Sequence, residues 1–190
     1  MTGTTAPTDI WEVSELLYSS PIHILEGNQV YQNFEHAVLP MIKLSEGGQR
    51  NQAGYDVLRN LILKRSDISL FDSEQTLERI IEYSGGNPRQ LLRILHSAFA
   101  LTETDMFDAA AVDKAICRIA VEFKRWLEPS DYRMLYEIDQ EIEREQDVTR
   151  ENHLLFHLAL LEYNGFWRSS NPVIRELEGY RKLVALRKKE

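Results

Sequence analysis

Apolar residues three and four positions apart recur along most of the chain after residue 54. In the first such stretch Val57, Leu58, Leu61 and Ile62 share one face, which predicts a helix at about 55–65. The same spacing predicts helices at about 72–84, 87–102, 108–123, 131–142, 149–164 and 171–187, and a short one at 10–18. Short extended runs at 21–25, 38–44 and 166–169 are typical of strands. The pattern therefore predicts a mainly α fold.

Polar and turn-forming residues divide this pattern. The Gly-, Gln- and Asn-rich run 45–54 predicts a loop, and Glu-Pro-Ser-Asp at 128–131 marks a second break. Asp72 with Gln75 predicts a capping box at one helix start, because a side-chain oxygen can accept from the first free amides. Either Ser130 or Asp131 can cap the helix of the last third that follows, and Thr149 the next.

Charge and composition narrow the class of protein. The 190 residues are 43% hydrophobic and 27% charged, values typical of a globular protein. No run approaches the length of apolar sequence that a membrane span needs, and the polar start lacks an export pattern. A single cysteine, Cys117, excludes an internal disulfide. We therefore expect a cytoplasmic protein without a membrane partner. The net charge of −8 disfavours non-specific nucleic-acid binding by the chain as a whole.

The densest local pattern is the run from Ser84 to Leu95. Gly85 and Gly86 can adopt positive φ and end a helix. Asn87 is a favourable N-cap, and proline suits the first helical position that follows it. Arg89 then falls in the first turn, which the helix dipole makes unfavourable for a cation. Such an arginine indicates an anion or an acidic partner nearby, although a Gly-Gly-Asn-Pro turn between two helices requires no ligand.

This run resembles the sensor 2 segment of AAA+ and related STAND P-loop ATPases, most closely the origin-recognition type and its bacterial relatives. The similarity covers about residues 38–122, with 57–67 resembling the first helix of the α-helical lid domain. The resemblance implies that Arg89 reaches the γ-phosphate of a nucleotide. It also implies that Gly86, Asn87 and Pro88 form the turn that presents this arginine.

The last third resembles the winged-helix domain that follows the lid in many STAND ATPases, on residues 160–168 and 171–177. A simple helical bundle is the alternative. The resemblance implies three parts: a remnant of the nucleotide-binding α/β core at 1–44, a small helical lid bundle at 45–126 and a winged-helix-like domain at 127–190. Basic residues near the end could contact nucleic acid or a partner, or could simply complement a helix end and keep the tail soluble: Arg168, Arg175, Arg181 and Lys182.

The sequence lacks the parts that would bind ATP independently. No Gly-x-x-x-x-Gly-Lys-Ser/Thr run is present, and no apolar strand ends in paired carboxylates. ATP with Mg is therefore expected only with a P-loop core supplied in the same or another chain. The resemblance therefore implies the C-terminal nucleotide-sensing and regulatory part of an AAA+ or STAND-type ATPase, coupling ATP state to a partner- or DNA-binding domain. The alternative is a non-catalytic adaptor of winged-helix type that binds nucleic acid or protein.

Three other features of the sequence give weaker evidence for a chemical function. His153 and His157 have a spacing that can hold zinc, but the apolar residues between them favour packing, and no metal is expected. Cys117 adjoins Ile116 and is predicted to lie in the core. The acidic residues between 137 and 147 alternate, which is typical of a solvated helix end rather than a ligand set. A serine hydrolase elbow is absent from the sequence.

Overall fold

The computed structural model describes residues 41–46, 48–164 and 167–187, all within one compact unit, Leu39–Glu190. These residues form seven α-helices and two short antiparallel hairpins, which confirms the mainly α prediction. The elements predicted at 10–18 and 21–25, and the rest of the proposed α/β remnant up to residue 40, lie outside the described residues. None of the described helices combines the length and apolar character that crossing a bilayer requires.

The first part of the described chain is a hairpin followed by four helices. The loop predicted at 45–54 contains the hairpin, whose strands are joined across a turn in which Gly48 has φ +76°. The elements in order are β1 (Ser45–Glu46), β2 (Gln49–Arg50), α1 (Gln52–Leu63), a 3-10 turn (Ile68–Leu70), α2 (Glu74–Tyr83), α3 (Pro88–Phe99) and α4 (Ala109–Lys124).

The second part is two helices, a hairpin and a last helix. Its elements are α5 (Pro129–Asp139), α6 (Val148–Phe156), β3 (Leu160–Glu162), β4 (Arg168–Ser170), a 3-10 helix (Pro172–Glu176) and α7 (Glu178–Arg187). The strands β3 and β4 pair antiparallel with Leu161 opposite Ser169. The order helix, hairpin, helix is compatible with the winged-helix-like prediction, which the fold alone does not decide.

Three helices begin at residues other than those predicted. The N-cap of α5 is Glu128, not Ser130 or Asp131, and Asp131 instead accepts from the Glu128 amide at 2.7 Å. Ser73, not Asp72, caps α2 by accepting from the Thr76 amide, and Asp72 instead accepts from the Ala109 amide at the start of α4. Asp147, not Thr149, caps α6. At the starts of α2 and α6, two nearby residues could each act as the cap. The cap is the one whose side chain reaches an amide two or three residues ahead.

Two helices of the second part also end earlier than predicted. The helix expected to reach residue 142 stops at Asp139, and Glu141 follows with φ +52°. The helix expected to continue to residue 164 stops at Phe156, because Leu158 adopts φ +58° and the chain turns into β3. Leu160 and Leu161 are fully buried as strand residues. A continuous apolar run is compatible with a buried strand as well as with a buried helix, so the hydrophobic spacing does not distinguish the two.

One hydrophobic core joins both parts of the described chain. It includes Leu77, Leu91 and Ile116 from the helices before residue 126, and Leu135 and Leu160 from the elements after it. The predicted domain boundary at 126/127 therefore lies between elements that share one core, and the division into two domains stays a prediction. The expectation for Cys117 was wrong: it is exposed, because α4 turns Ile116, Ile119 and Ala120 inward and leaves the neighbouring position outside.

A buried carboxylate ties the elements of the second part together. Asp139 ends α5, where the helix dipole disfavours an anion, and its side chain is only 5% exposed. It accepts from the Ser170 amide at 2.7 Å and from the Tyr180 hydroxyl at 2.5 Å, and Arg175 donates to it as well. Burial and this hydrogen bond raise the pKa of Tyr180, so the phenol stays a donor at neutral pH. Asp139 therefore links α5, β4 and α7.

Replacing Asp139 by alanine should lower the free energy of unfolding by about 3 kcal/mol, since buried donors lose their acceptor. Urea unfolding followed by circular dichroism measures it. Asp113→Ala is the matched control: its carboxylate is 53% exposed and pairs with Arg79 on the surface, and it should change stability by less than about 1 kcal/mol. Equal losses in the two variants would show that Asp139 is not a structural centre.

Candidate functional site

The candidate site is the turn between α2 and α3, residues 84–89, called here the Gly-Gly turn. The Ser84 hydroxyl donates to the Ile81 carbonyl at 2.5 Å and accepts from the Gly86 amide at 3.1 Å, which closes the end of α2. Gly85 and Gly86 have φ +60° and +79°, as the sequence predicts for this helix stop. Ser84, Gly85 and Gly86 are buried, so the turn is an internal part of the fold.

Gly86 faces the chain segment that leads into the first hairpin. The Ile42 amide donates to the Gly86 carbonyl at 3.0 Å. A Cβ built on Gly86 would stand 1.8 Å from the Ile42 carbonyl oxygen, well inside van der Waals contact. Glycine is therefore required here twice, by its backbone conformation and by the approach of a second backbone.

Gly85 faces the second part of the molecule. The Tyr163 hydroxyl donates to the Gly85 carbonyl at 2.6 Å. A Cβ on Gly85 would lie 2.4 Å from Leu161 Cδ1 and 2.9 Å from Pro172 Cδ. Burial raises the pKa of Tyr163 to about 12, so the phenol keeps its proton and its role as donor. Tyr163 also forms an isolated parallel bridge with Met41, which brings the leading segment to the same place.

The end of the turn starts α3 as predicted. Asn87 is the N-cap, and its Oδ1 accepts from the amides of Arg89 at 2.9 Å and Gln90 at 3.2 Å. Pro88 occupies the first turn, where its missing N–H costs no hydrogen bond. Asn87 is buried, while Pro88 and Arg89 are exposed. A buried frame thus carries an arginine on the outer side of a helix start.

The chemistry of this helix start suits one contact to an anion rather than a cradle. Pro88 has no amide proton, and Asn87 already engages the next two amides of the turn. A phosphate here would meet the Arg89 guanidinium, with the positive end of the α3 dipole behind it. No acidic residue lies in α3, and one turn after Arg89 the side chain of Arg93 pairs with Glu122. The residues present therefore fit a phosphate as one wall of a site.

Sequence reasoning did not identify the partners of this turn. Ile42 and Tyr163 hold it from either side, and Gln90 is 3% exposed with its Nε2 unpaired among the described residues. A Gly-Gly pair before an N-cap does indicate close backbone approach, but it cannot identify the approaching segment. Tyr163 lies 78 residues away in sequence, a distance that local patterns do not span.

The basic residues predicted to contact nucleic acid or a partner each face a carboxylate. Arg168 binds Glu151 and Glu162, and Arg175 binds Asp139. The remaining two pair within the last helices, Arg181 with Glu176 and Lys182 with Glu178. Arg181 and Lys182 lie side by side at one shallow depression, whereas Arg168 and Arg175 are tied to the β4 region. Their charge is therefore offset where they lie, and a phosphate backbone would compete with these ion pairs.

The histidine pair lies in an aromatic cluster. The rings of His153 and His157 are 4.6 Å apart, and the Trp126 ring lies 4.9 Å from that of His157. This ring packing is the arrangement that the sequence favoured for the pair. Across the described ranges, no group of three or more His, Cys, Asp or Glu side chains is arranged to hold a metal ion.

No family model, curated protein or solved structure matches this chain.

Replacing Gly86 by alanine should lower the free energy of unfolding by about 3 kcal/mol or more, because a strained φ adds to a clash with a backbone carbonyl. Gly48→Ala separates these two effects. Gly48 has nearly the same φ, +76°, but a Cβ there would meet nothing within 4 Å. It should cost only about 1 kcal/mol. Denaturant unfolding of the two variants gives the comparison, and similar losses would show that the Ile42 contact does not constrain the turn.

Proposed function

We propose that this chain is the C-terminal nucleotide-sensing and regulatory portion of an AAA+ or STAND-type ATPase. In this proposal, Arg89 responds to the phosphates of ATP, and the Gly-Gly turn couples that response to the elements after residue 126. The observation that carries the proposal is the placement of an exposed arginine in the first turn of α3, on a turn that is buried on both sides.

Electrostatics support an anion at this position. A cation in the first turn is disfavoured by the helix dipole by roughly 0.3–1 kcal/mol, and an anion beside it reverses the sign of that interaction. A phosphate group has the charge and the acceptor oxygens that suit a guanidinium.

Contacts around the turn supply a route for coupling. The Gly85 carbonyl accepts from Tyr163, two residues after the buried Leu161 of β3. At the end of α2, the Tyr83 hydroxyl donates to Glu176 in the 3-10 helix, and burial with this hydrogen bond raises the pKa of Tyr83 to about 12. If the turn shifted when Arg89 contacts a phosphate, these contacts would transmit the shift to β3 and to the 3-10 helix before α7.

The rest of the nucleotide site belongs to a P-loop core in the same or another chain. When bound there, ATP with Mg would supply the phosphoryl chemistry, and Arg89 would add one charge-assisted contact. Gly86, Asn87 and Pro88 would act by fixing the position of that arginine. A cytoplasmic location is part of the proposal, since an ATP-dependent regulator works where ATP is held.

The alternative function is a non-catalytic adaptor in which Arg89 is structural. The nucleic-acid form of this alternative is weakened by the carboxylates that face Arg168, Arg175, Arg181 and Lys182. The protein-binding form is favoured by exposed apolar side chains on the helices, among them Leu92 and Phe99.

Arg89→Ala should change ATP turnover by about tenfold or more when the chain is studied together with its P-loop core, because one transition-state contact is lost. Steady-state phosphate release measures this. Arg118→Ala is the matched control, since Arg118 is an exposed arginine of α4 and should leave turnover within about twofold.

Arg89→Lys keeps the charge but loses the planar fork, so its turnover should fall between wild type and Arg89→Ala. If turnover is the same in the Arg89→Ala and Arg118→Ala proteins while both remain folded, the nucleotide-sensing proposal is wrong and the adaptor interpretation takes its place.

A further inference from the structure

An apolar groove lies between α1 and α3, lined partly by residues that pack against the core and partly by exposed side chains. It holds about 230 Å³ and is lined mainly by Leu61, Leu92, Leu95, Phe99 and Phe107, with Arg65 at its edge. Two of these side chains are unusually exposed for large apolar groups, Phe99 at 69% and Leu92 at 46%. The groove therefore presents apolar surface to solvent next to a helix that is already packed on its other face.

The sequence of α3 gives it two apolar faces. Leu91, Ile94 and Ala98 are fully buried against the core. Leu92, Leu95 and Phe99 repeat three and seven positions apart and form a second stripe, which lines the groove. Leu95 is partly buried against the core, whereas the described part of the chain leaves Leu92 and Phe99 exposed.

Ring and backbone contacts hold Phe107 in place at the floor of the groove. Phe107 stacks on Phe71 with ring centroids 5.0 Å apart, and the two residues form a parallel β-bridge. Phe107 also donates to the Leu70 carbonyl and accepts from the Asp72 amide. The Phe99 ring lies 6.3 Å from that of Phe107. A partner would therefore meet a preformed surface, which reduces the ordering cost of binding.

The charge around the groove has one sign. Among the residues that line it, Arg65 carries a full positive charge, His96 lies beside it, and no Asp or Glu is present. A partner helix with acidic residues beside its apolar contacts would match Arg65. Two copies of the whole chain, each with a net charge of −8, would instead repel each other.

We propose that the α1–α3 groove binds an amphipathic helix of a partner protein. Its apolar side chains, three, four and seven positions apart, would contact Leu92, Phe99 and Phe107, and acidic residues on its flanks would face Arg65 and His96. A channel between two helices with an apolar floor is a shape that accepts a third helix. The site is distinct from the Arg89 turn, so it holds whether or not the chain senses a nucleotide.

A panel of fluorescein-labelled helical peptides tests the proposal. Each is about 16 residues long, with Leu or Phe anchors at the stated spacing and either Glu or Lys flanks, and binding is measured by fluorescence anisotropy. At least one Glu-flanked peptide should bind with Kd below about 100 μM, and its Lys-flanked counterpart about tenfold more weakly. No binding by any Glu-flanked peptide, or equal binding by both kinds, would overturn the proposal.

Variants of the protein locate the binding. Phe99→Ser and Arg65→Glu should each weaken the Glu-flanked peptide by about tenfold. Val121→Ser removes an apolar side chain that is 50% exposed on α4, outside the groove, and should leave the affinity unchanged. Thermal melting checks that the three variants stay folded. Equal effects of Phe99→Ser and Val121→Ser would rule out the groove as the binding surface.

Two other occupants of the groove, a second copy of the chain and a lipid surface, would give different experimental results. If the wild-type chain dimerises in sedimentation at micromolar concentration and Phe99→Ser makes it monomeric, the occupant is a second copy and the proposal is wrong. If the chain binds phosphatidylglycerol vesicles and loses that binding with Phe99→Ser, the groove serves a lipid surface instead. The proposal expects neither result.

Discussion

Three segments distant in the sequence meet at the backbone of Gly85 and Gly86, where a Cβ would fit at neither position. Ile42 donates to Gly86 from one side, and Tyr163 donates to Gly85 from the other, with Leu161 and Pro172 against the same residue. Both glycines also need positive φ to end α2. This one constraint fixes the path of the chain into the first hairpin, the angle at which α3 leaves α2, and the position of β3. The shared core packs around these elements, and Asp139 joins the last elements to α5.

The same constraint gives α3 its two outward features. Its first turn, set by the Asn87 cap, carries Arg89 at the surface, and its outer side carries the stripe of Leu92, Leu95 and Phe99. A nucleotide response at the first and a partner at the second would be joined by a single rigid helix. The contacts of the Gly-Gly turn with β3 and the 3-10 helix would extend that link to the end of the chain. Arg168, Arg175, Arg181 and Lys182 each pair with a carboxylate, so a role in stability accounts for these four without any polyanion.

Much of this could be predicted from local pattern. Periodicity located the helices, and the order Gly-Gly-Asn-Pro predicted the stop, the cap and the exposed arginine, because each depends on residues a few positions apart.

Prediction failed where two local structures were equally compatible with the sequence, or where the contact that decides between them lies far away in sequence. The run around Leu160 and Leu161 was apolar enough for helix or strand. The chain leaves the helix at Leu158 through a left-handed conformation that leucine does not itself favour, so the surrounding packing imposes it. The N-caps are Ser73 and Asp147 rather than Asp72 and Thr149, although the side chains of the latter two are similarly suited to capping. Cys117 was misplaced because one position around a helix separates the core from solvent. Tyr163 and the ion pairs of Arg168 and Arg175 involve contacts that no short pattern encodes.

Native-state hydrogen exchange tests most directly whether the Gly-Gly turn unites the described chain. The amides to follow are those of Ile42, Asn87 and Asn171, which donate to Gly86, Ser84 and Ala159. If the turn joins the leading segment, the helices and the second part into one cooperative unit, the three amides should exchange with the free energy of global unfolding, within about 1 kcal/mol. Tyr163→Phe should lower the protection of all three together. Exchange of Ile42 or Asn171 through a separate opening of much lower free energy, with Asn87 still protected, would contradict this account.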